Sequence, residues 1–121
     1  MQSTEKFTRL ALFLAGVLGA GGVAAAAAAS HADDERIFGA IALIALVHAA
    51  VLLAFGLSSV TGLLLRTGAL VIGAGACLFS ADLAARHFLG QGLFPMSAPF
   101  GGTAIIGGWV LVALAGAIGQ R

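Results

Sequence analysis

The stretch AAVLLAFGLSSVTGLLLRTGAL (Ala49–Leu70) decides the fold. Most of it, up to Leu65, belongs to a run from Ile37 to Leu65 that holds no charged residue. One helix needs about 20 apolar residues to cross a membrane, so this run is too long for a single span. Its middle, GLSSVTG (Gly56–Gly62), gathers turn-forming residues and divides the run in two. Outward from there, Leu10–Ser30, Thr67–Ala81 and Phe88–Gln120 are also free of charge. The predicted fold is therefore an all-α integral membrane protein, a four-transmembrane-helix up-down bundle. Its spans are expected at 8–30, 36–57, 62–85 and 99–119, in one transmembrane domain over residues 1–121. Short connections make sequence neighbours pack antiparallel. The runs lack the apolar/polar alternation of a membrane barrel.

Composition supports this reading. Hydrophobic residues make up 60% of the chain and charged residues 9%, against about 25% charged in a soluble domain. Mean hydropathy is +1.08. Six basic and five acidic side chains cannot cover a soluble fold of this size. The lipid bilayer is the expected surrounding. A net charge of +1 without a basic run argues against a nucleic-acid partner. The single cysteine, Cys77, excludes an intrachain disulfide and reads as a small packing residue.

The first span also has features of a secretory signal: KFTR, an apolar stretch, then AAAAAASHADDE. The apolar stretch exceeds the roughly 7–15 residues of a signal core, so retention as a membrane helix is expected. Four spans place Lys6, Arg9, Arg66 and Arg121 on one side and Arg36 and Arg86 on the other. This bias puts both termini in the cytoplasm.

Helices in lipid associate through close packing and interhelical hydrogen bonds. Small residues recur every four positions: Gly16, Ala20, Ala24 and Ala28 in the first span, and Ala69, Gly73, Cys77 and Ala81 in the third. In the fourth, Ala104, Gly108 and Gly116 share a row interrupted by Val112. These rows are expected contact faces. Asp33 or Asp34 is expected to cap the second helix, and Ser97 the fourth, with Pro99 in its first turn.

His48 is the polar residue set deepest. It lies about eleven residues from the outer end of its helix, roughly 16 Å at 1.5 Å per residue. A neutral imidazole carries one donor and one acceptor, and both need partners there. Ser80 and Trp109 are expected at similar depth, so His48, Ser80 and Trp109 form a candidate intramembrane polar network. Trp109 is expected to pack inward. Asp82 and Arg86, four apart, are expected to form an interfacial ion pair, and Arg66 to reach the inner headgroups. His31 and His87 share the outer end with Asp33, Asp34 and Asp82, where a His/carboxylate metal site is conceivable but the spacing is not diagnostic of one.

The stretch APFGGTAIIGGW (Ala98–Trp109) resembles the Thr-Pro-apolar-Gly-Gly...Gly-Trp signature of the YgdD-like small inner-membrane proteins, domain of unknown function 423. LFSADL (Leu78–Leu83), AAAAASH (Ala25–His31) and ALVHAAVLL (Ala45–Leu53) are similar to other segments of that family, in matching order. The positions that match its motifs are His31, His48, Phe79, Ser80, Pro99, Gly101, Gly102, Gly108 and Trp109. Ala28, Ala98, Asp82 and Ala84 stand where the family has Phe, Thr, Ser and Tyr. The resemblance implies a four-span bacterial inner-membrane protein with mitochondrial relatives, and no established activity.

No serine–histidine–carboxylate set, phosphate loop or cofactor fingerprint is visible. The expected function is non-enzymatic, with no cofactor: a structural or accessory bundle that associates with itself as a homo-oligomer or with a larger membrane complex. The alternative is a small channel or transporter with a pathway near His48. Haem or quinone binding is a weaker third reading, because bis-histidine haem needs two deep histidines.

Overall fold

A computed structural model describes residues 2–31 and 34–121. Four helices follow in order: α1 (Gln2–His31), α2 (Glu35–Leu57), α3 (Leu63–Leu89) and α4 (Ser97–Ala117). Each is long and apolar enough to cross a membrane, and no strand occurs among the described residues. The chain is a multi-pass helical membrane protein. One end of the bundle holds the termini and the α2–α3 turn, and is called the termini end below. The other, the hairpin end, holds the α1–α2 and α3–α4 connections.

Tight contacts give the direction of each pair. Gly22 lies against Leu46, Gly19 against Ala49 and Gly56 against Leu12, so α1 and α2 run antiparallel. Phe38 meets His87 near one end and Leu52 meets Gly73 further along, so α2 and α3 do the same. Gly75 faces Gly101 and Gly68 faces Gly108, fixing α3 against α4. Among the described residues, α3 packs on all three other helices, whereas the α4 backbone approaches α3 alone. The core of Ala11, Ala15, Leu18, Ala45, Ala49, Leu52, Ala69 and Ala76 fills the junction of α1, α2 and α3.

The helices overrun several expected boundaries. The first begins at Gln2, because the polar turn before Phe7 stays helical and Phe7 is buried. The third continues to Leu89, where His87 and Phe88 pack on Phe38. The fourth begins at Ser97 and ends at Ala117. Gly119, at φ +73°, closes it in a Schellman turn: Gln120 N–H donates to Ala115 O at 2.8 Å and Gly119 N–H to Gly116 O at 3.2 Å.

The expected small-residue face of α1 is displaced, and those of α3 and α4 hold only in part. On α1, Gly16, Ala20 and Ala24 are exposed, and the buried line is Ala11, Ala15, Leu18, Gly22 and Ala25. On α4 the expected row packs on α3 through Ala104 and Gly108 and is lost only at Gly116, which is exposed; Gly101, Ile105 and Ala115 are buried as well. On α3, Ala69 and Gly73 are buried but Cys77 is half-buried and Ala81 exposed. Alanine and glycine surround these helices, so their spacing alone does not select a side. The larger buried side chains that interlock at the helix contacts, Leu18, Leu52 and Ile72, select it.

The expected side-chain caps are also absent. Asp33 lies outside the described residues. Asp34 precedes α2 without a side-chain cap bond and instead meets His87 Nδ1 at 3.2 Å through its carboxylate. Met96, not Ser97, is the residue before α4. At the termini end, Gln120 Oε1 accepts from the Leu64 N–H at 2.6 Å and so caps α3 from across the bundle. Arg66 does not point freely to headgroups. It donates to Val60 O, Ser3 Oγ and Thr4 Oγ1, and its guanidinium sits 5.5 Å from the Phe7 ring centre.

Candidate functional site

Among the described residues, two polar centres are built around a buried side chain, His48 and Asp82. The first is mid-membrane. His48 points inward from α2 and is 5% exposed. Its Nε2 lies 3.2 Å from Trp109 Nε1 on α4, and its Nδ1 lies 2.7 Å from Ile44 O one turn earlier. An indole N–H only donates and a carbonyl oxygen only accepts. The geometry therefore assigns a neutral imidazole with its hydrogen on Nδ1, accepting at Nε2. Both nitrogens are satisfied. The bond joins α2 to α4, two helices whose backbones do not meet.

Trp109 differs from its expected inward packing. The ring is 40% exposed at the protein surface, with only its N–H turned toward His48. Ser80 differs more. Its hydroxyl oxygen is buried and joins neither His48 nor Trp109; it has no hydrogen-bond partner. The expected three-residue network is thus a two-residue bridge plus a separate serine. The reason is angular: α3 turns Ser80 toward α1 and α2, while α4 docks on another face through Gly68, Ile72 and Gly75.

The Trp109–His48 bond should be visible directly. Trp109 is the chain's single tryptophan, so one indole N–H resonance is expected in a nitrogen-15 spectrum. His48→Ala should move that resonance upfield and cost about 0.6–1.7 kcal/mol, the range of interhelical hydrogen bonds in membranes. An unmoved resonance would show that the indole bonds elsewhere.

The second polar centre lies toward the hairpin end. Asp82 is completely buried, where an interfacial carboxylate was expected. It does pair with Arg86, whose Nε donates to Oδ2 at 2.8 Å, and the Arg86 side chain is 44% exposed. Its Oδ1 accepts from the Leu93 N–H at 2.9 Å and from the Ser97 hydroxyl. One carboxylate therefore holds its own helix, the α3–α4 connection and the first residue of α4. Sequence spacing found Arg86 but missed Ser97 and Leu93. The available signal was a carboxylate within a span, one connection away from a serine at a helix start.

The remaining candidates stand apart from these centres. His31 ends α1 and is exposed. His87 meets Asp34 and packs between Phe38 and Phe88, with ring centres 4.6 and 4.8 Å away. Among the described residues, no group of three His, Cys, Asp or Glu side chains could hold a metal ion. Pro99 is exposed in the first turn of α4, where it forfeits no helical hydrogen bond. Gly101 touches the backbone of Phe79 and Gly75, and Gly108 touches that of Gly68 and Ile72. Gly102 faces open space.

The family described as "Protein of unknown function (DUF423)" matches residues 15–102, well over half of the chain. The chain belongs to that family. The DUF423 match takes in His31, His48, Phe79, Ser80, Asp82, Ser97, Pro99, Gly101 and Gly102. It ends before Gly108 and Trp109, so the indole half of the mid-membrane bridge lies outside the matched DUF423 region. No curated protein and no solved structure matches this DUF423 chain.

Proposed function

We propose that this chain is a non-enzymatic accessory bundle of the bacterial inner membrane, with both termini in the cytoplasm, that associates with itself or with a membrane complex. The observation that carries the reading is the exposed small-residue row of α1. Gly16 and Ala20 lie on its outward face, four residues apart, where another helix can approach closely. Neither is needed within the bundle, since a Cβ at Gly16 meets nothing within 4 Å. The engagement of both His48 nitrogens argues in the same direction, because it leaves no free ring nitrogen for a transport pathway.

Native mass spectrometry in mild detergent tests the association. An oligomer or a reproducible complex is expected for the natural chain, and its loss for Gly16→Leu with the helical signal kept. A strictly monomeric protein with no reproducible partner would sink the reading. Flux into proteoliposomes that disappears in His48→Ala would favour the channel or transporter instead.

A further inference from the structure

The termini end of the bundle carries Lys6, Arg9, Arg66 and Arg121. Arg66 is engaged within the chain, where Val60 O, Ser3 Oγ and Thr4 Oγ1 take its N–H groups. Lys6 and Arg9 are different. Both are exposed on α1, and among the described residues neither has a hydrogen bond or an ion pair. Glu5 is the one acidic residue ahead of Asp33, and it is not within ion-pair distance of either cation. Two adjacent positive charges are thus left without a partner in the chain.

Helical spacing joins these cations to an apolar strip. Phe7, Ala11, Ala15 and Leu18 form the buried side of α1. Lys6, Arg9, Leu10 and Phe13 lie on the opposite side, linked by steps of three and four residues. Together they line an open cleft of about 370 Å³. Leu10 is 44% exposed and Phe13 67%. Depth orders the strip. The 30 residues of α1 make about 45 Å of helix, whereas the hydrocarbon core is only ~30 Å thick. The charged first turns therefore stand in the headgroup layer. The charge-free run that starts at Leu10 marks the entry into hydrocarbon.

Residues three apart on a helix have Cβ atoms about 5–6 Å apart, so Lys6 and Arg9 can reach two oxygens of one phosphate. Arginine offers a planar fork of N–H donors and lysine a mobile point charge. Below them, Leu10 and Phe13 offer apolar surface at the level of the first acyl methylenes. A free phosphate would leave that surface uncovered. A zwitterionic headgroup would bring a cation of its own beside Lys6. We propose that Lys6 and Arg9 hold the phosphodiester of one anionic phospholipid of the phosphatidylglycerol type, with an acyl chain over Leu10 and Phe13. The site adjoins the Gly16 and Ala20 row but is complete in one chain, so it does not rest on self-association.

The test is native mass spectrometry of the full chain in detergent, titrated with dioleoylphosphatidylglycerol. Dioleoylphosphatidylcholine and glycerol 3-phosphate are the comparisons. In detergent the outcome does not depend on the direction in which a variant inserts. One phosphatidylglycerol per chain is expected, at concentrations where neither comparison is retained. Lys6→Gln and Arg9→Gln should each weaken binding about fivefold, and the pair roughly 25-fold, from the usual contribution of one basic residue at an anionic lipid surface. Phe13→Ala keeps every charge and should weaken it about fourfold, the contribution of one buried methylene at the least. Arg36→Gln removes an exposed cation at the hairpin end and should change nothing. Circular dichroism and elution volume show that each variant is intact. Equal affinity for phosphatidylcholine or glycerol 3-phosphate, an equal loss in Arg36→Gln, or unchanged affinity in the Lys6 and Arg9 pair or in Phe13→Ala would each overturn the proposal. Gly16→Leu should keep the phospholipid as a monomer; losing it there would overturn the single-chain site. An oligomer that persists without the phospholipid leaves self-association standing, so the two readings fail separately.

Discussion

Gly101→Leu is expected to separate α4 from α3 and to be among the most damaging single substitutions in the chain. A Cβ at position 101 would sit 2.7 Å from Phe79 N and 2.9 Å from Gly75 O. Both are backbone atoms and cannot rotate away. Moving them requires one helix to shift against the other. The facing pair Gly68 and Gly108 has the same character, with a Cβ at 108 meeting Gly68 O at 2.8 Å. At these two glycine pairs backbone lies against backbone, so they set the spacing of this interface. In lipid the close approach itself supplies the attraction, because no hydrophobic drive replaces it. Overpacking a tight contact costs about 1–3 kcal/mol, and more where relaxation is blocked. Gly102→Leu and Gly107→Leu on the same helix face open space and should stay within roughly 0.5 kcal/mol of the natural chain. Unfolding in dodecyl-sulfate mixtures, followed by circular dichroism, compares them. Equal losses at positions 101 and 102 would mean that α4 does not dock through this face.

Asp82→Ala should be the second large effect. The substitution removes the acceptor of the Ser97 hydroxyl and of the Leu93 N–H together. Ser97 is fully buried, so its hydroxyl cannot turn to water. A buried donor left unsatisfied costs about 1–3 kcal/mol, and the half-accessible Leu93 N–H less. Arg86 loses its partner too, but its exposure limits that loss. The expected total is on the order of 2–4 kcal/mol. Hydrogen exchange should rise in residues 90–96, which the carboxylate pins. A double-mutant cycle separates this from general damage. With Ser97→Ala already present, Asp82→Ala should cost markedly less, since contacting residues are not additive. Additive losses would show that Ser97 and Asp82 act independently.

Both predictions rest on residues that sequence reading treated unevenly. Gly101 and Gly108 stood out through a family resemblance and a small-residue row; that row holds at Ala104 and Gly108, which face Gly75 and Gly68 of α3, and leaves the interface at Gly116. Helix α4 carries small residues on every face, and only the shape of α3, with Ile72 standing between Gly68 and Gly75, selects one. Asp82 was paired with Arg86 correctly because a four-residue spacing on one helix is a local relation. Ser97 and Leu93 are 15 and 11 residues away. Whether they approach depends on the connection after Gly90, which turns at φ +76°. That return is a property of the chain path and not of any local period.

The mid-membrane histidine shows the same division. Depth and desolvation argued that His48 must face inward and find partners, and it does. They could not say which. Trp109 supplies the donor and Ile44 O the acceptor, while Ser80 is turned to a different face of α3. A rotation of α3 by about 100° separates neighbouring residues on a helix with 3.6 residues per turn, so depth agreement alone does not make a contact.

The sequence by itself determined the solvent, the number of helices and where the chain must turn. Sixty per cent hydrophobic residues cannot be covered by water-facing charges, a charge-free run too long for one span must break, and Gly56–Gly62 is where it does. These are one-dimensional quantities: total burial, segment length and local turn chemistry. Tertiary structure alone decided the faces. It placed Gly75 on Gly101, brought Gln120 to the start of α3, closed Asp82 around Ser97, and turned Ser80 toward α1 and α2. Each needs the rotation of one helix about its axis and the side on which the next helix docks. In a chain built so largely of alanine and glycine, the hydrophobic pattern is nearly the same all the way round. Fit between particular side chains and bare backbone is then what selects one arrangement.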